Sequence, residues 1–129
     1  MLRIAVLCPD LLFGSRIEGT LGAAGHEVER FGDEAAARSA APGSDVLVVD
    51  LTSDDVERSA MVASMRSAGE LDGVSALGFY SHVEVDVRRR AEEAGFDMVV
   101  PRSRMAREMP ALVERLAGGG HSPPDATTL

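Results

Sequence analysis

Five short, mostly apolar runs alternate with five stretches of helical periodicity, and no other feature restricts the fold as strongly. The runs are Arg3-Ile4-Ala5-Val6-Leu7-Cys8, His26-Glu27-Val28-Glu29-Arg30-Phe31, Asp45-Val46-Leu47-Val48-Val49-Asp50-Leu51, Val74-Ser75-Ala76-Leu77-Gly78-Phe79 and Asp97-Met98-Val99-Val100. A strand covered on both faces reads as a continuous apolar run rather than an alternating one. The run ending at Asp50 is short and rich in β-branched valine, which favours a strand over a buried helix segment. The second run is more polar and is expected nearer an edge. Strand followed by helix, repeated, specifies one α/β domain with a parallel sheet and right-handed crossovers. The order of the strands does not follow from the pattern.

Apolar spacing predicts a helix from about Leu12 to Ala24, carrying Phe13, Ile17, Leu21 and Ala24. A short alanine-rich helix follows from about Glu34 to Ala41, and Pro42-Gly43-Ser44 breaks the chain. A third helix, about Asp55 to Ala68, has Val56, Ala60, Met61, Val62, Ala63 and Met65 on a broad apolar face, and Thr52 to Asp55 offers caps and first-turn acids. Ser81-His82-Val83-Glu84 fits a capping box for a fourth helix reaching Ala94. Ser103 is expected to cap a fifth, striped by Met105, Met109, Leu112 and Leu116, with Pro110 inside it to kink or delay it. Gly25, Gly69 and Gly95 stand where helices end. Pro9 and Pro101 close the first and fifth strands. The domain is expected over residues 1–117, with a flexible tail over 118–129.

The net charge of −8 opposes general binding to nucleic acid or to acidic membranes. One Tyr, four Phe and no Trp leave little for a base-stacking platform. No apolar stretch approaches the roughly 20 residues of a membrane helix, and the N-terminal run is too short for a secretory signal. The single cysteine, Cys8, forms no internal disulfide, so a reducing cytoplasm is the expected location.

In open α/β sheets, ligands and chemistry gather outside the carboxyl ends of the strands. Asp50 stands there as a candidate working residue, or as a residue that hydrogen-bonds the following loop. Cys8 and His82 also fall at strand ends, but a lone buried cysteine usually serves as a small hydrophobe. One cysteine and three scattered histidines do not make a zinc site. No phosphate-binding glycine motif follows the first strand, and the chain is not read as an enzyme. The helix starts at Ser81 and Ser103, with Arg102 and Arg104, would face the same cleft as Asp10 and Asp50 and suit an anion. Alternatively, these arginines neutralise Asp10 or Asp50. Arg88, Arg89 and Arg90 lie among Glu84, Glu92 and Glu93 and read as a solvated helix face.

The alternation and the placement of acids resemble the receiver domains of bacterial response regulators over about residues 1–117. Asp45-Val46-Leu47-Val48-Val49-Asp50-Leu51 and Glu93-Ala94-Gly95-Phe96-Asp97 carry the closest local likeness. The resemblance implies a flavodoxin-like, doubly wound five-stranded sheet of order 2-1-3-4-5. It places Asp50 at the phosphoacceptor position. The acid pair that helps to hold magnesium in that family falls on Cys8 and Pro9, with Asp10 one place further on. The hydroxyl position falls near Tyr80 or Ser81, and the lysine position falls on Arg102, with the family's following proline displaced to Pro101.

These departures weaken magnesium binding, because that cation takes oxygen donors. Arginine for lysine exchanges a compact ammonium for a planar fork, and Arg102 could instead hold Asp50 in a permanent ion pair. The resulting expectation is a stand-alone pseudo-receiver that acts by protein–protein contact, with no cofactor and no resident metal. The implied contact face includes Val85, Arg89, Arg102, Arg104 and Arg107, and suits an acidic partner or a second copy. One alternative is a divergent phosphoaccepting receiver that uses Asp50 with Asp10 as the remaining magnesium ligand. Another is a small-molecule or anion sensor built on the strand-end cleft.

Overall fold

The computed structural model describes residues 1–81 and 85–118. Strands β1 (Arg3–Leu7), β2 (Glu27–Phe31), β3 (Val46–Asp50), β4 (Ser75–Tyr80) and β5 (Met98–Pro101) alternate with helices α1 (Leu11–Ala23), α2 (Glu34–Ala40), α3 (Asp55–Ser67), α4 (Val85–Ala94) and α5 (Arg102–Ala117). All neighbouring strands are parallel, in the order β2-β1-β3-β4-β5. This is the flavodoxin-like order that the receiver resemblance implied and the periodicity alone did not.

Successive side chains of a strand point to opposite faces, so each strand feeds two cores. Ala5, Leu7, Leu47, Val49, Ala76 and Val99 pack with Val62 and Met65 of α3 and Val87 and Ala91 of α4. Ile4, Val6, Val46, Val48, Leu77 and Val100 pack with Ile17 and Leu21 of α1 and Met105 and Met109 of α5. The central strand is the most enclosed: Val46, Leu47, Val48 and Val49 are each 0% exposed. Burying one such side chain contributes about 1.5–3 kcal/mol, which explains why this run is uninterrupted by polar residues.

The helix ends follow the glycines. Gly25, Gly69 and Gly95 all take positive φ, where only a residue without Cβ is unstrained. Three local expectations need correction. Ser103 does not cap α5. Pro101 takes the N-cap position with extended backbone (φ −64, ψ 149), so the helix begins at Arg102 and Ser103 lies in its first turn. Pro110 does not delay the helix, which begins two turns earlier and continues to Ala117. In α3, Val56 and Ala60 are exposed, and Arg58 and Ser59 occupy buried positions beside Met61, Val62 and Met65. No side chain caps α3 either. Its N-cap residue, Asp54, is left-handed at φ 53, a conformation rare outside glycine.

The proposed capping box extends from Ser81 into His82, Val83 and Glu84, which lie outside the described residues, as does the tail from residue 119. Among the described residues, no helix is long and apolar enough to cross a membrane.

Candidate functional site

The chain leaves β1 first toward β2 and then toward β3, so the crevice between β1 and β3 is the switch point where such sheets hold their ligands. Leu7 pairs with Val49, which puts the next residues, Cys8 and Asp50, opposite each other on the same face. The Cys8 thiol is fully buried and donates to Asp50 Oδ2 at 3.6 Å. Burial, followed by the negative charge of Asp50 and this hydrogen bond, pushes the thiol pKa up to about 12. Cys8 is therefore a neutral donor here and not a thiolate nucleophile or ligand.

The other carboxylate oxygen is also engaged. Asp50 Oδ1 accepts from Thr52 N at 2.8 Å and from Thr52 Oγ1 at 2.5 Å. Asp50 itself is 3% exposed. A carboxylate folded back on the residue two further along closes a tight turn, and here that turn opens the β3–α3 loop. Arg58 holds the same loop from beneath. Its NH1 donates to the carbonyl of Asp50 at 2.8 Å and to that of Ser53 at 3.2 Å. The Arg58 side chain is 6% exposed and lies 3.7 Å from carboxylates of both Glu34 and Asp54. Sequence reasoning passed over Arg58. The signal was its place one turn before Met61 and Val62 on the buried stripe of α3.

Asp10 caps α1, accepting from Leu12 N at 2.9 Å and Phe13 N at 3.1 Å. Its second oxygen lies 3.6 Å from Arg102. Of the two carboxylates open to Arg102, Asp10 and Asp50, it is Asp10 that the guanidinium faces, and the Arg102–Asp50 pair does not form. The reason is Phe13: the Arg102 guanidinium lies 4.4 Å from the centre of its ring, and Phe13 packs edge-on against Phe79 at 5.1 Å. The stack holds the guanidinium over α1, beside Asp10.

Pro9 is exposed and brings no side-chain donor or acceptor. Tyr80 belongs to the core on the α3–α4 side of the sheet, away from the Cys8 face. Glu92 first, and the Tyr80 hydroxyl after it, hold the Arg88 guanidinium above its ordinary pKa. Ser81 is half-buried at the end of β4. On the implied contact face, Val85 is 73% exposed. Its arginines have acidic neighbours on their own helices: Arg89 with Asp86 at 3.0 Å, Arg104 with Glu108 at 3.2 Å and Arg107 with Glu108 at 3.4 Å.

The receiver fold raises the question of magnesium, and the donor set does not fit that ion. A neutral thiol and a proline stand where oxygen ligands are needed. Both oxygens of Asp50 take protein donors, and those of Asp10 face helix amides and a guanidinium. Among the described residues, no group of three or more Asp, Glu, His or Cys side chains is placed to hold a metal ion.

No protein-family model matches the sequence, and no curated protein matches it. Solved structures match it closely in shape. The receiver domain of Francisella response regulator 1452 superposes with a TM-score of 0.79 at 13% identity, covering 93% of this chain and 99% of that one. A CheY-like receiver domain protein from Methanospirillum hungatei gives 0.77 at 13%, covering 91% and 94%. A protein described as pilus-assembly-related, from Burkholderia pseudomallei, gives 0.74 at 19%, covering 92% and 90%. At such identities the likeness carries the fold alone, and that fold is the one shared by response-regulator receiver domains.

Proposed function

We propose that the protein is a pseudo-receiver: a signalling or regulatory module that acts through protein–protein contact without ordinary magnesium-dependent phosphoacceptance. The observation that carries this reading is the state of Asp50. Its carboxylate is buried, both oxygens are hydrogen-bonded by Thr52 and Cys8, and among the described residues no group of three Asp, Glu, His or Cys side chains is placed to hold a metal ion beside it. Phosphoryl transfer needs a cation to offset charge on the moving group. A neutral thiol and a guanidinium turned toward Asp10 supply none at Asp50.

The receiver resemblance puts the contact face on α4, β5 and α5, where Val85, Arg89, Arg102 and Arg107 are exposed and Arg104 is half-buried. Exposed ion pairs such as those of Arg89 and Arg104 are worth about 0–1 kcal/mol. An acidic partner surface, or a second copy of the chain, can therefore exchange with Asp86 and Glu108 at little cost. The Burkholderia protein associated with pilus assembly shows that this fold is found in proteins not described as response regulators.

The test is intact mass after incubation with acetyl phosphate and magnesium. No phosphate adduct is expected. An adduct that disappears in Asp50→Asn overturns the reading in favour of a divergent receiver that phosphorylates Asp50 with Asp10 as metal ligand.

A further inference from the structure

Beside the Asp50 site, sharing Ser81 and Arg102 with the receiver pocket but not lined by Asp50 or Cys8, a cleft of about 470 Å³ opens between the starts of α1 and α5, lined by Phe13, Arg16, Ser81, Arg102, Ser103 and Ala106. Its volume lies within the ordinary range for small-molecule sites. Its charge is unusual for this protein. Eleven of the thirteen arginines lie within 4.0 Å of a carboxylate, and among the described residues only Arg16 and Arg115 do not. Arg16 lines the cleft. Arg102 shares it and is offset by a single carboxylate, that of Asp10, at 3.6 Å. A net positive charge therefore sits in one concave place on a chain of net charge −8.

The chemistry of the lining goes beyond charge. The Arg102 guanidinium carbon lies over the Phe13 ring, 4.4 Å from its centre, which anchors at the cleft a fork of N–H donors suited to a carboxylate or phosphate. Ser81 and Ser103 add hydroxyl donors. The first turn of α5 has no acidic residue and no side chain bonded to its amides, so nothing there competes for an anion. The Phe13 ring and the Ala106 methyl make the remaining wall apolar. We propose that this cleft binds a small organic anion: one carboxylate or phosphate monoester group, held by Arg16 and Arg102, on a compact apolar body resting against Phe13 and Ala106. The proposal goes beyond the pseudo-receiver reading and does not depend on it.

The experiment is an NMR titration of ¹⁵N-labelled protein with phenyl phosphate, against inorganic phosphate and sodium chloride at matched ionic strength. Phenyl phosphate is expected to give saturable shifts confined to amides around Arg16, Ser103 and Ala106, and to bind about tenfold more tightly than inorganic phosphate, a difference of about 1.4 kcal/mol. Arg16→Ala is expected to weaken binding about tenfold or more. Arg115→Ala, which removes the other unpaired arginine, should leave it unchanged. Arg16 is exposed on a helix and alanine favours helix, so the variant should fold normally. Shifts that sodium chloride reproduces, or that spread over the surface without saturating, overturn the proposal. So does unchanged affinity in Arg16→Ala. A phosphate adduct on Asp50 would sink the earlier reading and leave this one standing.

Discussion

The two rims of the sheet are built from the same residue types and use them differently. At the amino rim, polar side chains bridge distant parts of the chain. Asp45 accepts from the amide of Arg3 at 2.8 Å. Asp97 accepts from the amide of Ala76 at 2.8 Å and from Arg66 at 2.6 Å, while Arg66 also donates to the carbonyl of Gly95 at 2.9 Å. His26 accepts from Leu2 N at Nδ1, 3.1 Å away, and meets Glu114 through Nε2 at 2.8 Å. At the carboxyl rim each carboxylate gives one oxygen to its own turn, Asp10 to Leu12 and Phe13 and Asp50 to Thr52, and meets one distant side chain with the other, Arg102 and Cys8 respectively, each at 3.6 Å. Apart from Met1, the exposed large apolar residues (Leu11, Leu12, Val56 and Val85) all start helices at this carboxyl rim. One rim ties strands together. The other uses its carboxylates first to shape the turns they open, with a thiol and a half-exposed guanidinium as their distant partners, and turns apolar surface outward, which is the expected division when one edge holds the fold and the other meets partners.

The largest test of this contrast concerns Cys8, which the carboxyl rim encloses. A thiol raised to about 12 holds far less thiolate at pH 8 than one at the ordinary 9.0, so alkylation of the native protein by iodoacetamide should be slower than that of unfolded protein by roughly a thousandfold. The same shift fixes a pH dependence. The folded state keeps its proton longer than the unfolded state, so this contribution to stability is complete below pH 9.0 and is lost as pH rises toward about 12. Denaturant midpoints should fall across that window, and less steeply in Cys8→Ala. Rapid alkylation of native protein would mean that the rim is open.

Asp97→Ala comes next. It strands the amide of Ala76 and removes the carboxylate partner of Arg66, which keeps its bond to the Gly95 carbonyl, and should destabilise by about 2–3 kcal/mol in urea unfolding. Asp50→Asn should change stability by less than about 1 kcal/mol, because Asn keeps an acceptor for Thr52 and removes a buried charge. If Asp50→Asn proved the costlier of the two, the assignment of structural work to the amino rim would be wrong. The smallest effect is expected at Glu70. Its paired hydrogen bonds with Arg38, at 2.8 and 2.9 Å, hold its carboxyl below the ordinary range. Its contribution is present above the unfolded carboxylate pKa and fades as pH falls below it. Glu70→Gln should lower stability slightly at neutral pH, leave it unchanged at low pH, and so flatten the acid limb of the stability curve.

The fold was legible because it rests on patterns a single sequence displays. Val46–Val49 is short and rich in valine, which favours a covered strand over a buried helix segment, and Gly25, Gly69 and Gly95 mark helix ends through their backbone freedom. The strand order entered only through the receiver resemblance, since periodicity contains no information on which strands are neighbours. The site was legible in its membership and less so in its pairing. Cys8, Asp10, Asp50 and Arg102 do gather at the carboxyl rim. The choice of Asp10 over Asp50 as the partner of Arg102 was not legible because Phe13, far away in sequence from Arg102, decides where the guanidinium rests. Arg58 was missed because a charged residue between Glu57 and Ser59 looks solvated until its helical phase with Met61 and Met65 is noticed. The starting point of α5 was misplaced because Ser103 is a better-known cap than Pro101, whose fixed φ and extended ψ already serve.

Tyr80 gives the carboxyl rim its own optical signature. The chain has no tryptophan and one tyrosine, and that residue closes β4, buried among the side chains over α4 and adjacent to Ser81 of the cleft wall. All tyrosine fluorescence and most near-ultraviolet dichroism of this protein therefore come from one point. Unfolding, partner docking on α4 and filling of the cleft can be followed there on unlabelled protein, with no second chromophore of that kind to subtract.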